Sequence, residues 1–248
     1  MKKLLFTTLL ALIVNLTMAQ QIETINKFDG ESIYGIIVDG AFDLRFCEGN
    51  QTGVKIEIRG DNISKLEVEM TDEGYVRLGF GSDVGQFLKG KNRPYVEVVV
   101  DELRHLELSG NTRAIGLGEC YTKDICNIQV GTTCSLEDVH IEAPIVNLYL
   151  TGAAKVEEVT IVADDAKIDL SNSSKAILKG TLGTCNVRTG GTSSLSMLMV
   201  ESQMIEAVVS GMSIVKANVS KEANVKCTGT ASFKYIGDGK LEGDGKKI

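Results

Sequence analysis

The chain has 248 residues, with 26 Gly, 2 Pro, 2 His, no Trp, 5% aromatic side chains and a formal charge of −7. That length supplies one domain or two small ones with a real core, and 43% hydrophobic with 24% charged residues excludes a disordered tail. The acidic balance argues against nucleic acid, whose phosphates need a cationic footprint; two histidines and no tryptophan argue against a histidine-based catalytic site or a broad aromatic sugar platform.

At the N-terminus, Lys2 and Lys3 precede an apolar stretch, Leu4 to Leu16, broken by Thr7, Thr8 and Asn15. Thr17-Met18-Ala19 then places small residues for cleavage before Gln20, so residues 1–19 read as a secretory signal peptide. The run is shorter than the ~20 apolar residues of a membrane span, and no later segment comes close to one. The first cysteine is Cys47, which disfavours a lipid anchor near the cleavage site. Losing residues 1–19 removes two lysines and no acid, taking the charge to −9. The expectation is an exported bacterial protein, periplasmic or at the cell surface, with no transmembrane segment after cleavage.

Residues 28–100 alternate as strands without a fixed period, and 20–95 read as a β-rich N-terminal cap or early coils. The candidates are Ile33 to Phe46, Val54 to Ile58, Leu66 to Val68, Tyr75 to Leu78 and, at the boundary, Tyr95 to Val100, with Gly/Asp/Asn turns between them. They read either as early irregular coils or as a cap over the residues C-terminal to them, since exposed strand edges invite aggregation. Gly81 to Pro94 reads as a loop.

Within residues 96–236, read as the β-helix, one phrase recurs from residue 104 onward: apolar-x-apolar, then a Ser/Thr/Gly-Gly type of punctuation, then a second short apolar run. Leu148-Tyr149-Leu150-Thr151-Gly152 is one copy and Ala207-Val208-Val209-Ser210-Gly211 another. The punctuating position falls at 110, 132, 152, 172, 191, 211 and 229, in steps of 18 to 22 residues. Inside a copy Val146, Leu148 and Leu150 point one way and Asn147 and Tyr149 the other, the period of a strand with one buried face. Gly or Asn at the punctuation suits a left-handed corner. Thr132 departs from that rule, and Gly131 with a one-residue shift is the alternative there. Past the corner come Leu136/Val139/Ile141, Val156/Val159/Ile161 and Leu195/Leu198/Val200. Strand, corner, strand and return in about twenty residues is one coil of a single-stranded parallel β-helix, an all-β solenoid. Right-handed winding is expected from the general preference for right-handed crossovers. Residues 237–248, polar and Gly-rich, read as a flexible tail, and 20–236 as one structural domain.

Stacked coils place Cys126, Val146, Ala166, Cys185, Ile205 and Ala223 in one inward column. Three coils at ~4.8 Å separate Cys126 from Cys185, beyond the ~7 Å of a disulfide. Cys47, Cys120, Cys126, Cys134, Cys185 and Cys227 are irregularly spaced, and buried free thiols are favoured over disulfides. Asn127, Asn147, Asn186 and Asn224 share one position, expected to stack as an amide ladder, with a row of ligand contacts as the other reading.

The stretch Ile33 to Phe46 with Gly40-Ala41-Phe42-Asp43-Leu44, then Val96 to Val100, Leu103-Arg104-His105-Leu106-Glu107-Leu108-Ser109-Gly110 and Ser210-Gly211-Met212-Ser213, resembles the bacterial auto-transporter adhesin, head GIN domain family over roughly residues 28–236. The resemblance implies an exported, adhesin-like β-helical domain of the bacterial cell envelope and supplies no catalytic residues.

Many β-helices depolymerise acidic polysaccharides with carboxylates on adjacent coils. One outward column reads Glu107, Gln129, Tyr149, Asp169, Arg188, Val208, Lys226; another reads Ile115, Glu137, Glu157, Ile177, Ser196, Lys216, Lys234. Only Glu137 and Glu157 stack as acids, and a solvated face accounts for them. Asp164-Asp165 reads as a corner, and His105 and His140 as surface histidines without a nucleophile partner. Gly79 to Gly85 misses the dinucleotide spacing, and Asp238-Gly239 and Asp244-Gly245 lack a calcium-loop pattern. The expected function is a non-enzymatic adhesin-like binding or structural module, with a polysaccharide lyase or hydrolase as the alternative. No catalytic or metal residue and no cofactor is assigned, and binding residues stay unassigned. The partner classes are a glycan, a surface protein or the chain itself.

Overall fold

The computed structural model describes residues 22–81 and 93–248. The signal-peptide reading and most of the Gly81–Pro94 loop reading lie outside these residues.

Alternating apolar residues at a twenty-residue repeat generate coils that stack in parallel. Ile125–Val130 pairs with Ile145–Leu150 so that Cys126, Ile128 and Val130 meet Val146, Leu148 and Leu150. The inward column from Cys126 to Ala223 forms in full through four further parallel pairings. Every member of it is buried. Each coil places one strand on a first face, such as Ile145–Leu150, and one on a second face, such as Ser135–Glu142. From Lys155 onward single strands (Lys155–Leu170, Lys175–Thr189, Ser194–Val209, Ile214–Cys227) run from the second face of one coil into the first face of the next. All the strands belong to one continuous hydrogen-bonded sheet wrapped into a β-solenoid.

The corners fall where the punctuation predicts. Gly110, Thr132, Gly152, Asn172, Gly191, Gly211 and Gly229 all have left-handed backbones, with φ between 54° and 80°. Thr132 itself takes the corner at φ 54°, so the Gly131 alternative is corrected and no register shift occurs. Its Oγ1 accepts the Gly110 N–H at 3.2 Å, a bond that offsets part of the strain of a β-branched residue there. At Gly152, φ is 74° and a Cβ would lie 2.6 Å from the Thr132 carbonyl oxygen of the coil before, so only glycine fits without displacing backbone. A second bend lies on the second face, where Asp138 and Glu158 are left-handed bulge residues between Leu136 and Val139 and between Val156 and Val159. In the later coil the expected triplet shifts: Met197 is buried and Leu198 only partly so. The register slips between Ile177 and Lys179 against Ser196 and Met199, which moves the bulge onto Leu198.

Residues before the repeat act as both coil and cap. Gly35–Gly40 and Asp43–Glu48 form a full coil in parallel register with His105–Gly110 and Arg113–Tyr121. Its other side is covered by a coil made later in the chain, Tyr75–Phe80 and Tyr95–Val100. Antiparallel strands close this end: Leu66–Met70 on Tyr75–Phe80, Gly53–Arg59 on Tyr95–Val100, and Ile22–Lys27 outermost on Gly53–Arg59. Phe42 stacks on Phe80 at 4.9 Å beneath them. Carboxylates tie the seams, as Glu48 accepts the N–H groups of Leu103 at 3.0 Å and Tyr121 at 2.9 Å.

Two expectations are corrected at the other end and on the first face. The flexible tail is instead built into the stack: Lys240–Gly243 pairs with Ile214–Cys227, setting Leu241 on Ala223, and Lys246–Lys247 pairs with Ser232–Ile236. The amide ladder reduces to one bond, Asn147 Nδ2 donating to Asn127 Oδ1 at 2.9 Å, because Lys167 and Glu206 interrupt that column. Asp164 and Asp165 do lie at a corner, both N–H groups reaching the Pro144 carbonyl.

Two substitutions test this packing in opposite senses. Gly152→Ala is expected to lower stability by about 2 kcal/mol or more, from left-handed strain and the clash with Thr132. Ser202 is fully buried with its Oγ unpartnered, so Ser202→Ala is expected to be neutral or to gain up to about 1 kcal/mol. Urea unfolding midpoints with unchanged slopes would check both.

Candidate functional site: a groove along the first face

Strand alternation sends three outward columns along the first face. The outermost runs His105, Asn127, Asn147, Lys167, Asn186, Glu206, Asn224 through successive pairings. The middle one is the predicted column Glu107, Gln129, Tyr149, Asp169, Arg188, Val208, Lys226, formed by the same pairings. Beside the corners the third column holds only small residues: Ser109, Gly131, Thr151, Ser171, Gly190 and Ser210. Long side chains in the middle column next to small ones in the third leave a groove of about 690 Å³, reaching from Glu107 and Ser109 to Val208 and Ser210. Five coil steps at ~4.8 Å make it roughly 24 Å long, parallel to the solenoid axis. A second hollow of about 260 Å³, lined by Asn186, Arg188, Glu206, Val208 and Lys226, adjoins it.

The charges in the groove balance. Lys167 Nζ donates to Tyr149 Oη at 3.3 Å, lies 3.4 Å from Asp169 Oδ2 and sits 5.0 Å from the Tyr149 ring centroid. The Tyr149 hydroxyl first, and then Asp169, hold the Lys167 ammonium above its ordinary pKa. Asp169 Oδ1 is buried without a donor. Arg188, the next residue in the column, is exposed and makes no ion pair among the described residues. At the near end His105 is half-buried, stacked on Tyr75 at 5.1 Å with Nε2 3.5 Å from Glu107 Oε2. This corrects the surface reading for His105; His140 is also half-buried, between Glu119 and Thr160 on the second face.

Outside the groove the expected acids remain ordinary. Glu137 and Glu157 do stack on the second face. Glu157, however, accepts from Lys175 Nζ at 2.8 Å, and that bond lowers its pKa. Such a pair, exposed and neutralised by a lysine, is a solvated face. The six cysteines are unpaired. Burial pushes the thiols of Cys120 and Cys185 up to about 12 and raises that of Cys126 as well. Cys134 is buried, and Cys47 and Cys227 half-buried, with thiols raised by burial too. None is poised as a thiolate nucleophile at neutral pH. Among the described residues no three His, Cys, Asp or Glu side chains cluster as metal ligands, and no helix is long and apolar enough to cross a membrane.

Sequence reasoning identifies the middle column but weighs it only as a source of stacked acids. The groove comes from the column beside it. Its signal is the small residue that follows each first-face strand in six consecutive copies, from Ser109 to Ser210.

These features define a parallel β-solenoid with a long groove along one face. The chain belongs to the family described as "putative auto-transporter adhesin, head GIN domain", whose model matches residues 34–239. Among solved structures it is similar to a "putative adhesin" from Parabacteroides distasonis (14% identity, TM-score 0.81, covering 92% of this chain and 98% of that one). A "putative adhesin" from Parabacteroides merdae is also similar (14% identity, TM-score 0.80, 92% and 96% covered). So is a "putative lipid binding protein" from Parabacteroides distasonis (15% identity, TM-score 0.79, 92% and 97% covered). At such identities the likeness is one of fold. No curated protein matches the chain.

Thiol counting tests the interior. Denatured without reductant, the protein is expected to titrate six thiols per chain. Folded, Cys120, Cys126, Cys134 and Cys185 should stay unmodified by a maleimide that reaches Cys47 and Cys227 slowly; a missing pair of thiols on denaturation would mean a disulfide.

Proposed function

We propose that this chain is an exported, non-enzymatic, adhesin-like binding module of the bacterial cell envelope, and that it holds its ligand in the groove of the first face. The observation that carries this reading is the groove itself: a long, open channel of mixed polar and apolar lining on a surface built from strands, with its side chains set by the stacking of coils rather than by loops. Family membership supports an adhesin-like role, and the Lys2–Ala19 pattern supports export.

The chemistry of the site favours binding over turnover. The acids expected from β-helix polysaccharidases are paired carboxylates facing one bond. In the groove, Glu107 and Asp169 are separated by Gln129 and Tyr149 on the intervening coils. Asp169 has the Lys167 ammonium 3.4 Å away and Glu107 has His105 Nε2 3.5 Å away, so neither carboxylate faces a second acid. Inward columns such as Leu106, Ile128, Leu148, Ile168 and Val187 are filled by buried side chains, which favours a ligand held on the surface over an acyl chain held inside.

Incubation with a panel of acidic and neutral polysaccharides is expected to release no reducing ends and no unsaturated products. Turnover of any member overturns the binding-module reading in favour of a β-helix lyase or hydrolase.

A further inference from the structure

Resting on that reading, the groove's hydrogen-bonding pattern narrows the ligand to one chemical class. Three hydroxyls of its floor present acceptors. Ser109 donates to Asp39 Oδ1 at 2.8 Å, Ser171 to the Leu150 carbonyl at 3.3 Å and Ser210 to the Thr189 carbonyl at 2.9 Å. Each of these hydroxyls has one proton, so what they leave toward the groove is lone pairs, while Thr151, whose Oγ1 accepts from Asn172 Nδ2 at 3.1 Å, keeps its proton to donate. The wall asks for both partners at once. Asp169 Oδ1 lacks a donor, Arg188 beside it has donors without an acceptor among the described residues, and Gln129 offers both. A group that inserts between Asp169 and Arg188 must donate to one and accept from the other.

A hydroxyl does both. An acyl chain does neither. An anionic chain would accept from Arg188 but would set its charge against Glu107, Asp169 and the lone pairs of the floor. Arg188 in the lining and Lys167 beside Asp169 on the adjoining column together balance Glu107 and Asp169, so the groove with its rim favours no net charge. An extended peptide also donates and accepts, but it advances ~3.3–3.6 Å per residue along a wall that repeats every ~4.8 Å. It therefore falls out of step within a few coils. A sugar ring is closer in length to the coil repeat and presents several hydroxyls on one edge.

We propose that the groove binds an extended, uncharged, hydroxyl-rich glycan lying along the solenoid axis, with Asp169 and Arg188 bridging neighbouring hydroxyls of one sugar. Lys167 is a positioning residue that holds Asp169 and the Tyr149 hydroxyl.

The test is calorimetric titration of the purified chain with soluble neutral glycans (a β-glucan, a mannan, a xylan) and acidic ones (alginate, polygalacturonate, heparin). The variants are Asp169→Asn, Arg188→Ala and, as a control on the second face, Lys216→Ala. Melting curves confirm that each variant is folded. At least one neutral glycan is expected to bind, with affinity lowered about tenfold or more by Asp169→Asn and by Arg188→Ala and unchanged by Lys216→Ala. Binding confined to the acidic glycans, neutral binding indifferent to both groove variants, or no binding across the panel each overturns the inference. Those results leave the binding-module reading standing, because only turnover removes it.

Discussion

Every coil of this protein hydrogen-bonds to the coil before it in parallel register, and that single requirement disciplines the rest of the chain. A parallel ladder has no hairpin to absorb a misfit, so each coil must turn at the same place as its neighbour or every side chain beyond the turn changes face. The shared left-handed corner from Gly110 to Gly229 is how the register is kept. The same requirement explains the scarcity of proline, which cannot donate to a ladder. Pro94 and Pro144 both stand just before a strand, where the missing N–H is not called for. Their carbonyls still serve, Pro94 accepting from Asp43 and Pro144 from Asp164 and Asp165.

In-register stacking also sets the rules of the interior. A column repeats every ~4.8 Å, so a residue larger than its neighbours must be offset by a smaller one nearby. Cys126, Ala166, Cys185 and Ala223 alternate with Val146 and Ile205 in that way, with cysteine as a small apolar filler. Some buried polar residues find partners, Thr189, set among Leu170 and Val209, donating to Ser213 Oγ at 3.1 Å and Thr122 to the Leu103 carbonyl at 2.6 Å, whereas the hydroxyls of Ser193 and Ser202 have none. The ends need a different solution. The first coil, Gly35 to Glu48, is overlaid by a later one, and antiparallel strands then close the edge, the outermost carrying Glu23 and Lys27.

The legibility of the sequence has its source in the same physics. Where the period holds, each copy predicts the others, so the inward column from Cys126 and the outward column from Glu107 can be written down from the repeat alone. Residues 28–100 show strands by alternation, but alternation does not say which strands are neighbours. That Gly35–Gly40 lies between Tyr75–Phe80 and His105–Gly110 is a long-range fact with no local signature. The tail hides its coil because Lys240-Leu241-Glu242 offers one apolar residue to a pattern that needs two or three, although Leu241 follows Ala223 by 18 residues, within the range of the repeat. The asparagine ladder fails for the opposite reason. A ladder needs every rung, and Lys167 and Glu206 are visible as breaks.

The groove is the least legible feature because it is a difference between two columns rather than a property of either. A strand reads as large–small only when the residue beyond its last inward position is compared across coils. Once formed, the groove has a property that loop-built sites lack. Its side chains stand on strands held on both sides, so their spacing is set by the backbone ladder and little ordering remains to be done on binding. Repetition then works in favour of long ligands and against short ones. One coil offers one or two weak polar contacts, each worth about 1 kcal/mol, while six coils in step offer a row of them to any chain whose own repeat keeps pace. A scaffold of this kind selects a ligand by its period before it selects by any one group, and the unsatisfied Asp169 beside Arg188 supplies the one point where chemistry rather than spacing decides.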